Sequence, residues 1–484
     1  MNIVEPILFQ ARCQPEAPAL CAQGRDSISY SRLIAQMNNV ARRAMASGLK
    51  HGDLVALSIT DQLLHSIVIL GLTQVGIVSV SVAMQKPPEG LKIDAVIANT
   101  AYPFAPHARH LSLDNSWIAG NGAPVEISPA GSAATDEVCR IILTSGTTGG
   151  PKAVALTHNL VIGNAGRYEH LLGGRFSAYS RIYMNIGLGS APGYWFLVYI
   201  LGHGGTAFFA GESLENTLRS FEIFQIQAIS TTPAMLAQLL AHCDQHPSIE
   251  VHVDTVTSTG GVFPRALLER VRPRLCSHVV TRYGSTEIGG AAAAPAERIA
   301  HIEGAAGYIV PGARVEIVDE ADRPVPTGSE GIVRLWSEFG VDRYIDDPIE
   351  SAKVFRDGWF YPGDLGSLTA DNLLIISGRQ NDVLNVGGAK MAAERLESIL
   401  VSFTGVSDAA VFAATSPSGI DEVWAAVVCG RKLDPESLRA HCRSQIGGAF
   451  VPAHVVSLET LPITATGKVD RQGLKQMLIA GAQS

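Results

Sequence analysis

The chain has 484 residues, enough to bury more than one core and, at roughly 150 residues per domain, to form about three folding units. Hydrophobic residues make up 46% and charged residues 17%, a soluble globular mix rather than a disordered one. Lysine plus arginine number 37 against 45 for aspartate plus glutamate, a formal charge of −8, so no basic excess points to nucleic acid. An acidic balance leaves phosphate ligands open, because their sites are built from local N–H groups and one or two cations. The seven cysteines are scattered without a C-x-x-C, which suits free thiols in a reducing cytoplasm. The N-terminal run MNIVEPILFQ carries Glu5 and lacks a basic stretch followed by an apolar one, so no signal peptide is expected.

Taken in order, Leu54–Ile59 reads as a strand after the turn His51-Gly52-Asp53. The most apolar stretch, 63–82, is broken by Gly71 and Gly76 and includes His65, Thr73 and Gln74. It predicts a buried helix over 63–73 and a strand over 77–82 rather than a membrane span. Arg140–Leu143 is an apolar strand that ends in a Gly/Ser/Thr loop. Short strands at 207–210, 228–231, 255–258 and 279–282 alternate with helices at 214–224, 233–243 and 264–271. That alternation predicts an α/β fold with parallel-rich sheets flanked by helices. From about Ile309 the runs 314–319 and 331–335 alternate between Pro/Gly turns, as a small antiparallel β region would. After Gly378 the texture changes again, with a helix at 392–400, strands at 408–413 and 423–428 and a helix at 435–446. The expected division is a large N-terminal domain, 1–379, and a small α+β C-terminal domain, 380–484.

The strongest chemical signal is the loop Thr144-Ser145-Gly146-Thr147-Thr148-Gly149-Gly150-Pro151-Lys152. Glycine lets backbone N–H groups approach an anion, Ser and Thr hydroxyls add donors, and Lys152 adds charge. Together they make a polyphosphate site. The ending Pro151-Lys152-Ala153 departs from the P-loop, which needs Gly-Lys followed by Ser or Thr to hold Mg²⁺. A flexible Gly/Ser linker fits poorly, because apolar runs flank the loop on both sides.

This loop resembles the signature of the adenylate-forming superfamily, which includes acyl-CoA synthetases, adenylation domains of peptide synthetases and beetle luciferases. The resemblance runs along nearly the whole chain through at least five motifs in family order. Tyr283-Gly284-Ser285-Thr286-Glu287 matches a segment in which the aromatic ring lies against adenine, the threonine meets the α-phosphate and the glutamate binds Mg²⁺. A hard cation of this kind prefers carboxylate and phosphate oxygen. Ser258-Thr259-Gly260-Gly261 matches the adenine-side loop. Asp364, in Tyr361-Pro362-Gly363-Asp364, would accept from the ribose hydroxyls, with Pro362 standing where the family has Thr. Arg379 would meet ribose or phosphate, and Asn381 stands at the hinge position usually held by Asp or Lys. Gly388, in Asn385-Val-Gly-Gly-Ala-Lys390, corresponds to the glycine that lines the thiol tunnel of CoA ligases. Lys468, in Pro462-Ile-Thr-Ala-Thr-Gly467-Lys468, corresponds to the catalytic cation at the reacting phosphate.

The resemblance places the acid-binding segment at 186–196. Amino-acid-activating members carry an acidic residue there, whereas 184–211 has none, which argues against an α-ammonium substrate. Gly187, Gly189 and Gly193 leave volume, and Tyr194, Trp195 and Phe196 offer apolar surface for a fatty or aryl acid. The implied activity is ATP- and Mg²⁺-dependent formation of an acyl-adenylate, catalysed by Lys468, Thr286 and Glu287, then transfer to CoA. A separate phosphopantetheinyl carrier protein is the alternative acceptor, and a non-catalytic nucleotide- or acyl-binding scaffold is the alternative of another class. No membrane span or nucleic-acid partner is expected, and a homodimer is left open.

Overall fold

The computed structural model describes the chain except residues 23, 83–85, 89, 100–101, 129–135, 145–150, 172–180, 212, 381–382, 387–388, 416–420, 431–432, 447–449, 465–468 and 483–484. Two sheets carry the large domain. A 6-stranded sheet runs in the order Arg109–Ser112, Ala95–Ala98, Leu54–Ser58, Val78–Ser81, Val138–Thr144, Lys152–Thr157. All neighbours are parallel except the last pair, an antiparallel hairpin that sets Thr144 opposite Lys152. The phosphate-loop sequence therefore joins two paired strands.

The second sheet has 15 strands. Its parallel part contains Pro18–Ala22, Thr206–Phe209, Arg181–Met184, Ala228–Thr231, Thr255–Thr259 and Val279–Ser285. Val279–Ser285 then pairs antiparallel with Gly289–Pro295, and Ala305–Ile309, Leu373–Arg379, Asp364–Leu368 and Gly331–Ser337 continue the sheet. The expected antiparallel region exists, yet it is hydrogen-bonded into the same sheet rather than set apart.

Local chemistry explains the elements between the sheets. Asp61 caps the helix Gln62–Gln74 by accepting from Leu63 N and Leu64 N, and Gly76, at φ +71°, turns the chain into Val78–Ser81. Ser190 caps Ala191–Gly202 and Thr232 caps Pro233–Gln245, each with proline in the first turn. The helices Gln62–Gln74 and Ala191–Gly202 are buried almost all round and share one apolar core. No helix among the described residues is long and apolar enough to cross a membrane.

The small C-terminal domain has its own core. The strands Val406–Thr415, Asp421–Cys429 and His454–Leu458 form a 3-stranded sheet, against which Ala393–Ser402 and Pro435–Ile446 pack. A 2-stranded ribbon, Val383–Val386 with Ala389–Ala392, precedes it. Asp408 lies at the start of this sheet, and burial pushes its carboxyl from 3.8 up to about 6. A raised folded-state value contributes stability that is present below 3.8 and lost as pH rises through about 6. Asp408→Asn, which keeps the oxygen that accepts from Ala409 N, should raise the melting temperature by a few degrees at about pH 8 and by less at about pH 5. Calorimetry at the two pH values checks this, and equal shifts would refute the linkage.

Candidate active site

Four strand ends converge on one cavity of about 120 Å³. Thr144 ends one strand of the smaller sheet, and Thr259 and Ser285 end strands of the larger. Thr232, the cap residue after Ala228–Thr231, completes the set. The carboxyl ends of parallel strands are where open α/β sheets present ligand sites, because loops and helix starts leave N–H and hydroxyl groups there. Gly260 lines the same wall at φ +90°, a backbone angle that excludes most side chains. Gly261 is beside it, and a Cβ there would meet only Pro233 at 3.9 Å.

The segment Tyr283–Glu287 does not follow a strand, as the sequence implies; its first three residues are the strand's end. Gly284 permits this, since a Cβ there would come within 2.1 Å of Gly289 O on the antiparallel neighbour. Alternation along the strand sends Arg282 and Tyr283 to opposite faces. Tyr283 donates its hydroxyl to Asp364 Oδ2, and Arg379 Nε is 3.1 Å from Asp364 Oδ1. Asp364 is buried, yet each carboxylate oxygen retains acceptor capacity beyond these bonds. Burial, reinforced by the Asp364 charge, pushes the Tyr283 phenol well above its ordinary value, so it remains a donor. Pro362 and Gly363, the latter at φ +82°, turn the chain so that Gly363 O accepts from Gln380 N at 2.8 Å. The Pro362 departure thus serves the turn that delivers Asp364.

Glu287 is 6% exposed, and Tyr344 donates its hydroxyl to Glu287 Oε1 at 2.8 Å. Lys152 Nζ bonds Asp347 Oδ2 at 2.8 Å and lies 3.6 Å from Glu350 Oε2. Both carboxylates belong to the N-terminal end of the helix Pro348–Val354, where Asp347 is the cap. The hydrogen bond from Lys152 holds Asp347 below its ordinary carboxylate value.

The segment 186–196 is clamped through one residue, Leu188. Leu188 N donates to Gln62 Oε1 at 3.1 Å, and Leu188 O accepts from Arg140 Nη2 at 2.9 Å. Arg140 is fully buried, bonds Ser79 Oγ at 2.8 Å and lies over the Tyr194 ring at 4.9 Å. The first half of the segment is loop and the rest starts the helix Ala191–Gly202. Ile186, Ser190, Pro192 and Trp195 reach the cavity; Tyr194 faces Arg140 and Phe196 faces Arg282 instead. Of the three glycines, Gly187 opens onto free space, whereas a Cβ on Gly193 would meet Gly187 O at 2.4 Å. Gly193 therefore serves close packing of loop on helix rather than space for the acid.

A family profile described as AMP-binding enzyme matches residues 8–344, and one described as AMP-binding enzyme C-terminal domain matches 395–468. The chain belongs to the AMP-binding enzyme family. It is thus an enzyme of the adenylate-forming superfamily that its motifs resemble. The fatty acid–[acyl-carrier-protein] ligase ScoC of Streptomyces coeruleorubidus is 26% identical over 98% of this chain and 96% of its own. The 2-succinylbenzoate–CoA ligase of Bacillus licheniformis is 26% identical over 96% of this chain and 98% of its own. Among solved structures, the O-succinylbenzoate coenzyme A synthetase of Bacillus subtilis in complex with ATP and magnesium superposes with a TM-score of 0.81. That match is 21% identical and covers 97% of this chain and 99% of the other.

In this AMP-binding enzyme, the structure brings Thr144, Gly260, Tyr283 and Thr286 to one cavity, with Asp364 and Arg379 bound to Tyr283's side of it. Lys152 is held on the acidic pair of Pro348–Val354 instead. Ser145, Gly146, Thr147, Thr148, Asn381, Gly388 and Lys468 lie outside the described residues. The chain on either side of Lys468 is pinned: Ile463 bridges Val469, and Arg471 bonds Glu397 at 2.8 Å. Sequence reasoning missed Tyr344, Asp347 and Glu350, whose only signal is an acidic cluster beside an aromatic residue. It also missed Arg282 and Asn164 in the cavity wall.

Gly193→Ala should displace the loop 187–190 and lower acid-dependent kcat/KM by about 10- to 100-fold. Gly187→Ala, with nothing within 4 Å of the added carbon, should keep the wild-type melting temperature. Steady-state kinetics and thermal denaturation of the pair check both outcomes.

Proposed function

We propose that this enzyme activates a carboxylic acid with ATP as an acyl-adenylate, releases pyrophosphate, and transfers the acyl group to CoA. The observation that carries this reading is the joining of Tyr283, Asp364 and Arg379 beside the cavity where Thr144, Thr286 and Gly260 meet. One site thereby offers a ring, a ribose-accepting carboxylate and phosphate-facing hydroxyls.

In the first half-reaction a carboxylate oxygen of the acid forms a bond to the α-phosphorus, and the bond to the bridging oxygen of pyrophosphate breaks. Thr286 donates to the α-phosphate, the loop Thr144–Lys152 holds the departing phosphates, and Lys468 offsets charge at the reacting centre. Glu287 is a fitting partner for Mg²⁺, since a hard cation takes one or two carboxylates plus phosphate oxygens, and Tyr344 orients that carboxylate from behind. When bound, Mg²⁺ supplies neutralising charge to the phosphate oxygens. In the second half-reaction a thiol sulfur bonds to the acyl carbon, AMP departs with the bonding electron pair, and the thiol proton is released. We assign residues 380–484 as the body that turns about Asn381 between the two steps, bringing Gly388 to the adenylate. The free state of all seven cysteines supports a reducing, cytoplasmic setting.

The acid belongs to the fatty or aryl carboxylates rather than the α-amino acids, because no acidic residue among the described lining could pair an ammonium. A carrier protein is the second reading for the acceptor, favoured by the near full-length similarity to a ligase named for such a carrier.

Pyrophosphate release with a panel of acids should be ATP-dependent, and CoA should convert the product to an acyl-CoA detected by mass spectrometry. Lys468→Ala should abolish pyrophosphate release and spare thiolysis of supplied acyl-AMP; equal loss of both would remove Lys468 from its role. Nucleotide binding without turnover of any acid would favour a non-catalytic scaffold.

A further inference from the structure

The wall of the cavity is polarised toward donors. Arg282 lines it while only 6% exposed, and its guanidinium carbon lies 5.7 Å from the centroid of the Phe196 ring. Trp195 lines the same cavity at 3% exposure, and its indole Nε1 has no hydrogen-bond partner among the described residues. Arg167 adds a second guanidinium, tied by Nη2 to Gly312 O at 2.6 Å and lying 3.7 Å from the exposed Glu338 carboxylate. No aspartate or glutamate is among the described lining residues. Asn164 Oδ1 is an acceptor in this wall, packed against Gly289.

We propose that the acid carries a second carboxylate, which Arg282 and the Trp195 indole N–H bind at the end of the cavity away from the nucleotide. The proposal rests on reading this cavity as the acid site and names the substrate class for it. Three physical points support it. A purely apolar tail would leave the Trp195 N–H buried without an acceptor, which is the costly arrangement for a donor. Attraction between Arg282 and an anion is several-fold stronger in a water-poor, aromatic-walled pocket than in water. Arg282 also immediately precedes Tyr283, and strand alternation turns the two side chains to opposite faces. The distal group and the nucleotide are thus gripped by neighbouring residues of one strand, which fixes the distance between them.

The test is pyrophosphate release by the full-length enzyme with matched acids: butyrate against succinate, pentanoate against glutarate, benzoate against terephthalate, and decanoate. Wild-type enzyme should favour the diacid in at least one pair by about tenfold or more in kcat/KM. Arg282→Met should lower that diacid-to-monoacid ratio by about 30-fold or more, and Arg282→Lys by less. Because Arg282 is buried, Trp195→Phe provides an independent arm that keeps the ring and removes the N–H. It should lower the same ratio by about 3- to 10-fold. ATP-induced thermal stabilisation of each variant verifies that its nucleotide side is intact. Wild-type turnover of monoacids or decanoate equal to or above every diacid would overturn the proposal while leaving acid activation standing. An unchanged ratio in folded Arg282 and Trp195 variants would do the same. Wild-type enzyme that releases no pyrophosphate with any acid would overturn the acid-activation reading, and this proposal with it.

Discussion

The site depends on the bonds that Asp364 makes to Tyr283 and Arg379. They join three strands that are far apart in sequence. Tyr283 ends the last of the parallel strands, while Asp364 and Arg379 stand opposite each other on an antiparallel pair. Without this contact the Tyr283 ring and the Asp364 carboxylate would belong to separate parts of the sheet. A buried carboxylate satisfied by a neutral hydroxyl and a cation is tolerable where an isolated one is not. Its remaining lone pairs stay open to a further donor.

Charge is arranged around this contact in two opposed ways. On the phosphate side, Lys152 is drawn onto Asp347 and Glu350, so a cation named for a phosphate role is balanced by the protein's own acids. On the acid side, Arg282 and Arg167 stand in a wall with no described carboxylate in the lining. Lys152 is thus shared with two carboxylates, whereas Arg282 is set against an aromatic ring.

Much of this was legible in the sequence, and the failures have physical reasons. Short β-branched runs between turn residues located Ala228–Thr231, and a proline start located Pro435–Ile446, to the residue. The helix Tyr30–Ala46 escaped because its buried face includes Gln36, Asn38 and Asn39, which mask the apolar stripe. The two asparagines are satisfied by tertiary partners that no local pattern reveals: Asn38 accepts from Gln74 at 2.9 Å and donates to Gly122 O at 3.0 Å. Tyr283, Glu287, Asp364 and Arg379 were named through their resemblance to the adenylate-forming motifs, and the structure puts Asp364 and Arg379 at strand ends. Tyr344 reaches Glu287 across 57 residues with no motif, and only the folded chain unites them. The antiparallel texture was visible, but its continuity with the parallel sheet was not, since strand partners such as Ala305–Ile309 and Leu373–Arg379 are remote in sequence.

One local detail reaches beyond its neighbourhood. Gln380 N is bonded to Gly363 O, and Arg379 to Asp364, so the last residues before Asn381 are latched to the turn that presents the Asp364 carboxylate. A rotation about Asn381 would therefore start at a fixed post rather than along a slack tether. Whatever loads or unloads Asp364 would be felt one or two peptide bonds from the pivot. In the proposed cycle this gives the enzyme an escapement: the moving body is released by events at the nucleotide, and its timing does not rely on a signal relayed through the core.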